Sequence, residues 1–393
     1  MPLGLYISVP FCRTKCSYCN FASDVFSRAV FEKYIARLCA EIDESVETAC
    51  QTGNSLDSKV DSIYFGGGTP TLLDVAQLKR VFVTIGQNFE LQPGAEVTME
   101  CAPGTLSQAM IDALISCGVN RVSLGVQSFV DQEAASVGRL HRRATVVEEV
   151  GRLRAAGISD INVDLIAGLP HQTQESWAES LEQLTDLNSP HASVYMLEVD
   201  EDSRLGRELI AGGQRYHAHF VPDEDLTAEL YEIGCERLNA AGIQQYEISN
   251  FARPGFESKH NLKYWTRQPY LGFGVDAHSM LHTSDSGCAV RFANPDSLEK
   301  YLSGGAKEWT TITPESALEE TFFLGLRLNR GVDLKTIAAE SGKSAVDEYS
   351  EVLTELSEIG LVEKTGSTIR LNSKGRLLSN EVFQRFLATE VKL

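Results

Sequence analysis

Short runs rich in β-branched and aromatic residues recur along the first half of the chain: GLYISVP (4–10), VDSIYF (60–65), AEVTMEC (95–101), RVSLGVQ (121–127), DINVDLI (160–166) and HASVYML (191–197). They follow one another at roughly thirty-residue intervals with helical stretches between them, the signature of βα units feeding a parallel sheet. In LKRVFVTI (78–85), Leu78, Val81, Phe82 and Ile85 keep the i, i+3, i+4, i+7 spacing that gives a helix one apolar stripe. Six such units predict an α/β fold, a partial (β/α)6 barrel over residues 1–200 rather than a complete eightfold one.

Beyond about residue 200 the rhythm fades. Residues 201–310 read as an irregular α/β extension, Gly-rich, with one clear helix over 223–241 and loops that carry several aromatics. Over 311–393 helical runs near 315–328, 333–341 and 345–359 precede two short strand-like runs, LVEK (361–364) and TIRL (368–371), an order that predicts a mainly helical, winged-helix-like domain. Winged helices commonly read DNA. Here the segment that would enter the groove carries Asp347, Glu348, Glu351, Glu355 and Glu358 with no Lys or Arg, so packing or partner contact is the expected role.

Charge points the same way. With 35 Lys and Arg against 54 Asp and Glu, the net charge of −19 repels phosphate backbones and anionic membrane surfaces, and no nucleic-acid partner is expected. No apolar run is long enough to span a bilayer, and MPLGLYISVPFC lacks the marks of a secretory or transit segment, so a cytoplasmic location is expected. Nine Cys is an odd number, and three of them fall at positions 12, 16 and 19, which suits a metal site in a reducing compartment better than a disulfide framework. Cys39, Cys50, Cys101, Cys117, Cys235 and Cys288 are scattered and read as small hydrophobes.

The triplet SVPFCRTKCSYCNF places C-x3-C-x2-C directly after the first strand, at the rim where barrel folds carry chemistry. Three thiolates are one short of a closed site; an iron–sulfur cubane held by three keeps one iron free, while a zinc ion would need a distant His or Cys as its fourth ligand. The second strand ends in GGGTPT, whose glycines let backbone approach a ligand. Glu100, Gln127, Asp164 and Glu198 close the third to sixth strands or follow them, and parallel topology sends all of them to one rim. Carboxylates there can accept ribose hydroxyls, and Arg139 can bind a carboxylate in bidentate fashion, a set matching a zwitterionic nucleoside.

C-x3-C-x2-C followed by GGGTPT resembles the radical S-adenosylmethionine superfamily. From residue 4 to about 280, with Tyr6, GVQSF (125–129), Arg139, VDLIAGLP (163–170) and HNLKYW (260–265), the chain resembles the group that contains oxygen-independent coproporphyrinogen III dehydrogenase and a heme chaperone. The resemblance implies that Cys12, Cys16 and Cys19 ligate a 4Fe-4S cluster. It also implies that Tyr6, Tyr18, Gly67, Gly68, Thr69, Glu100, Gln127, Arg139, Asp164 and Glu198 surround S-adenosylmethionine.

Two departures set the chain apart from the dehydrogenase branch: Phe21 stands where that enzyme has a further Cys, and only eleven residues precede Cys12. HNLKYW resembles the HNxxYW motif of the chaperone branch. Heme is then expected as cargo, passed to acceptor hemoproteins such as membrane-bound respiratory cytochromes, by a protein that could sit peripherally at the inner membrane and form a homodimer. An imidazole suits heme iron and an indole can cover a porphyrin face, so His260 and Trp265, on an expected loop, are the candidate heme contacts. The alternative is a true dehydrogenase, decarboxylating coproporphyrinogen III propionates after reductive cleavage of S-adenosylmethionine to a 5′-deoxyadenosyl radical. HAH (217–219) would be a metal pair only if both rings faced one side.

Overall fold

A computed structural model describes residues 1–51, 57–283 and 287–387. Six strands, β1 (Leu3–Val9), β2 (Lys59–Gly67), β3 (Glu90–Cys101), β4 (Arg121–Gln127), β5 (Asp160–Ala167) and β6 (His191–Met196), pair in order and in parallel. They coincide with the six runs expected from sequence. Their outward side chains are apolar and fully buried: Leu5, Ile7 and Val9 on β1, Ile63 and Phe65 on β2 and Val97 and Met99 on β3 pack against an outer layer of helices. In the helix Val75–Asn88, Leu78, Val81 and Ile85 are buried and Phe82 stacks on Phe65 at 4.8 Å, while Asp74 and Gln77 close its first turn with a capping box. Among the described residues no helix is long and apolar enough to cross a membrane.

The region 201–310 contains the expected helix, Glu224–Ala240, and differs from expectation on either side of it. Instead of an irregular extension it supplies strands to both edges of the same sheet: β7 (Gln244–Gln245) and β8 (Asn250–Ala252) beside β6, and β9 (Tyr270–Phe273), β10 (His278–His282), β11 (Ala289–Ala293) and β12 (Glu308–Ile312) beyond β1. Among the described residues the result is one sheet of twelve strands, in which β9 runs parallel to β1 and β10 to β12 turn back antiparallel. The barrel is therefore open between β1 and β6, each having taken a later strand as its outer neighbour.

The C-terminal region matches its expected order. Helices Pro314–Leu326, Leu334–Ser341 and Ser350–Glu358 pack on a small antiparallel sheet of β13 (Val332–Asp333), β14 (Val362–Thr365) and β15 (Thr368–Leu371). Phe322, Leu326, Leu356, Ile369 and Phe386 form its own core. Ion pairs tie it to the barrel: buried Glu320 receives both Arg267 and Arg291 at 2.9 Å, and Arg327 reaches the fully buried Glu247 at 3.5 Å.

Candidate functional site

The cysteine loop leaves β1 at Val9. Its root is an aromatic anchor, Phe11 stacked on Phe31 at 3.7 Å and edge-on to Tyr34 at 5.2 Å. The loop then closes on itself, Cys12 N donating to the Asp24 carbonyl and Asp24 N to the Pro10 carbonyl, each at 3.0 Å. Distant segments hold its middle: Ser17 N donates to the Val137 carbonyl at 3.1 Å, Thr14 Oγ1 to the Gly138 carbonyl at 3.0 Å, and Leu205 N to the Ser17 carbonyl at 2.8 Å. Cys16 is buried, Cys12 and Cys19 are partly so, and all three are free thiols. Burial raises the pKa of Cys12 and Cys19, and the neighbouring thiols of the triplet raise it further. Three crowded, half-desolvated thiols with one guanidinium nearby are a donor set that a cationic iron–sulfur cluster satisfies. Among the described residues no group of three or more His, Cys, Asp or Glu is arranged to hold a single metal ion; a cubane spreads its ligands over three separate irons.

The GGG loop has a different local reason from the one the sequence suggested. Gly68 N donates to the Val9 carbonyl at 2.9 Å and Thr69 N to the Phe11 carbonyl at 2.7 Å, so the loop is stitched to the root of the cysteine loop. A Cβ on Gly68 would lie 2.7 Å from both of those carbonyl oxygens. The glycine is required by its own chain as well as by any ligand. Gly67 adopts φ +96°, and a Cβ on Gly66 would sit 3.0 Å from the Glu100 carboxylate.

Around that rim the structure brings together Tyr6, Tyr64, Gly66, Gly67, Glu100 and Asp164. Tyr64 donates to Glu100 Oε1 at 2.7 Å and stacks with Tyr6, ring centroids 6.2 Å apart. Burial is the main reason the Glu100 carboxyl is pushed up to about 7, with Asp164 adding repulsion against the Tyr64 hydrogen bond. Asp164 is held by Ser123 Oγ at 3.1 Å and Asn162 Nδ2 at 2.7 Å, yet burial still raises it. Gln127, at the irregularity between β4 and β5, is a buried non-glycine residue at φ +71°, a strained conformation of the kind kept where it positions a functional group. Arg139 does not present a free fork: its guanidinium donates to the Gly125 carbonyl and, at 3.6 Å, to Cys16 Sγ. Tyr18 packs against Val137, Ile166 and Leu169, and Glu198 is exposed on the segment after β6. Sequence reasoning missed Tyr64, Ser123 and Asn162. Strand alternation could have found them, since Ser62, Tyr64 and Gly66 share one face of β2.

HNLKYW is not on a loop. It forms the helix Lys259–Trp265, N-capped by Ser258, and packs at the N-terminal ends of the strands, where Lys263 reaches the Pro2 carbonyl, while Tyr264 extends to the cavity beside the cysteine loop. The His260 imidazole is 1% exposed; Nδ1 meets Ser62 Oγ at 3.0 Å and Nε2 meets the Tyr264 hydroxyl at 2.8 Å. Both ring nitrogens are thus engaged within the protein, and burial pulls its pKa down to about 3, with Lys263 adding to the effect. Glu96 accepts from the backbone N–H of Lys259 and His260 at 2.9 and 3.1 Å. Trp265 lies under the Arg327 guanidinium, 4.2 Å from its ring centre, a contact with the C-terminal domain. His260 is thus enclosed in a helix rather than set on an accessible loop, and the Arg327 guanidinium lies over the Trp265 ring. The HAH pair separates as well, His217 meeting His171 at 3.2 Å while His219 packs on Phe220.

Two cavities stand out. The larger, about 480 Å³, is apolar, lies on the outer face between β2 and the helix Val75–Asn88, and is lined by none of Cys12, Cys16 and Cys19. A second, about 290 Å³, opens beside the cysteine loop between Tyr6, Phe21, Tyr264, Tyr270 and His278.

The family model described as the radical SAM superfamily matches residues 6–184, and that described as the HemN C-terminal domain matches 312–378. The chain is 36% identical over 391 residues to "Heme chaperone HemW" of Bacillus subtilis (strain 168), covering 97% of this chain and 98% of that one. It is 34% identical to the protein of the same name from Lactococcus lactis, covering 99% and 98%, and 30% identical to that of Escherichia coli (strain K12), covering 98% of each. Among solved structures it is similar to the coproporphyrinogen III oxidase HemN from Escherichia coli, a radical SAM enzyme, with a TM-score of 0.82 at 25% identity over 98% of this chain and 90% of that one.

Proposed function

The chain belongs to the heme chaperone HemW family, and from that premise we propose that it binds heme and delivers it to an acceptor hemoprotein. The observation that carries the reading is identity of 30–36% sustained over nearly the whole length of proteins named for that role. Cys12, Cys16 and Cys19 would hold the 4Fe-4S cluster, and when bound the cluster with S-adenosylmethionine supplies one-electron chemistry. Arg139 places a cation against Cys16, while Phe11 and the amides of Gly68 and Thr69 fix the loop from which the three thiols project. Tyr6, Tyr18, Gly67, Gly68, Thr69, Glu100, Gln127, Asp164 and Glu198 are the proposed surroundings of S-adenosylmethionine. In that role Glu100 and Asp164 accept hydrogen bonds from ribose or amino groups, and the burial that raises both carboxyl pKa values also strengthens each bond they make. The proposed acceptors are membrane-bound respiratory cytochromes, reached from the cytoplasm or from a peripheral position at the inner membrane, with a homodimer as the proposed assembly.

The similarity to HemN favours a second reading, radical decarboxylation of coproporphyrinogen III. Phe21, 64% exposed beside Cys19, gives no thiol at the place where the dehydrogenase has its further Cys. Anaerobic reconstitution of the cluster, followed by parallel assays of heme binding and coproporphyrinogen III consumption, decides between them. Heme retention without consumption is expected. Stoichiometric conversion to protoporphyrinogen IX above a cluster-free control would reverse the assignment.

A further inference from the structure

With His260 enclosed, the heme-chaperone reading needs another ligand for iron. We propose that heme docks at the cavity beside the cysteine loop and that His278 coordinates its iron; this rests on the heme-chaperone reading above. The chain has eight His. His141 and His191 are buried and bonded to the Val126 carbonyl and to Asn162 and Tyr246. His282 meets the Arg267 carbonyl at 2.9 Å, His171 and His217 face one another, and His219 lies on Phe220. His278, the first residue of β10, lines the cavity with its side chain 57% exposed. Its ion-pair partner is Asp276 at 3.9 Å, too far for a hydrogen bond, so the ring keeps a lone pair for a metal.

The remaining walls suit a flat apolar ligand. Phe21 projects from the cysteine loop, and Tyr6, Tyr264 and Tyr270 contribute ring surface opposite the strand edge. At about 290 Å³ the cavity is too small to enclose a metalloporphyrin, so one edge would seat while the rest stays outside. Partial seating is what a protein that surrenders its cargo requires, since release then needs no unfolding of a packed core. On binding, the imidazole lone pair displaces a water from ferric iron, with no electron transferred and no covalent change in the porphyrin.

The test titrates hemin into cluster-loaded protein and reads the Soret and ligand-field bands and the affinity. His278→Ala is expected to bind hemin at least about ten-fold more weakly with a shifted Soret band, at unchanged cluster content and melting temperature. His278→Gly should recover the wild-type bands when free imidazole is added, which a merely structural role would not give. His260→Ala should keep the wild-type bands. Wild-type affinity and bands in His278→Ala would overturn the site while leaving the chaperone reading standing. Failure of the wild-type protein to bind hemin at all would overturn both.

Discussion

Gly68→Ala tests whether the cysteine loop depends on its stitching to the β2 rim. The new Cβ would approach the Val9 and Phe11 carbonyl oxygens to 2.7 Å and the Phe11 nitrogen to 2.9 Å, all of them backbone atoms that cannot rotate away. Relief requires the loops to part, which loosens the Gly68–Val9 and Thr69–Phe11 hydrogen bonds. Two such bonds contribute about 1 kcal/mol each and the residual overlap about 1 kcal/mol more, giving about 3 kcal/mol against the attached state. That multiplies the detached population roughly 150-fold. If the chain unfolds as one unit, the same loss lowers the melting temperature by about 4 °C. The assay is iron and sulfide content after anaerobic reconstitution, with thermal melting alongside; Gly68→Ala should hold much less cluster. Gly86→Ala is the control, because a Cβ there meets nothing within 4 Å, inside the helix Val75–Asn88. Its expected effect is a gain of about 0.5–1 kcal/mol from helix propensity, with full cluster content. Wild-type cluster content and melting in Gly68→Ala would show that the close approach does not govern the loop.

Replacing Cys12, Cys16 or Cys19 by Ser should abolish the thiolate-to-iron absorption near roughly 400 nm, whereas Cys39→Ser and Cys235→Ser should retain it; metal analysis of the triple variant checks the set. Glu100, pushed up to about 7 in the folded chain, binds its proton more tightly than in the unfolded chain, so its contribution to stability is full below pH 4.5 and is lost as pH rises through 7. Urea unfolding between pH 5 and 8 should show wild type losing up to about 3 kcal/mol relative to Glu100→Gln across that window, and parallel curves would refute the shift. His260 has the opposite sign: with its pKa pulled down to about 3, its contribution is present above pH 6.5 and lost as pH falls below it. His260→Ala should cost about 2–4 kcal/mol by stranding the Ser62 and Tyr264 hydroxyls, and a melting temperature equal to wild type would contradict that role.

The six barrel strands were legible because parallel strands covered by helices read as apolar runs on one face, as Leu5, Ile7 and Val9 do. The winged C-terminal order was legible for a similar reason, its helices being amphipathic and its two strands short but flanked by turns. What failed was the middle. β7 to β12 are strands of two to five residues, too short to show a period, and their partners lie at opposite edges of the sheet. The cysteine positions were readable from spacing, but the barrel lining was not. Ser62, Glu96, Arg121, Asn162 and His191 alternate with apolar residues just as solvent-facing positions would, and only the segment packed at the N-terminal ends of the strands shows that they point inward. His260 was misplaced for that reason: a motif of His, Asn and aromatics looks like a ligand-bearing loop until its partners on β2 and β3 are known. Ser258 ahead of it, which accepts from Asn261 N, was the available sign of a helix start.

The position of β1 within the sheet has a consequence for synthesis. That strand is flanked by β2 on one side and β9 on the other, and Lys263 Nζ donates to the Pro2 carbonyl at 2.9 Å. The strand leading into the cysteine loop therefore acquires its second neighbour only after about 260 further residues have been made, roughly 13–50 s at ordinary translation rates. For that interval the three thiols emerge on a half-supported strand, open to oxidation and to stray metals. Loading of the proposed cluster is accordingly expected to await the completion of β9, and a truncation ending before Tyr270 should leave the thiols unable to retain iron however much is supplied.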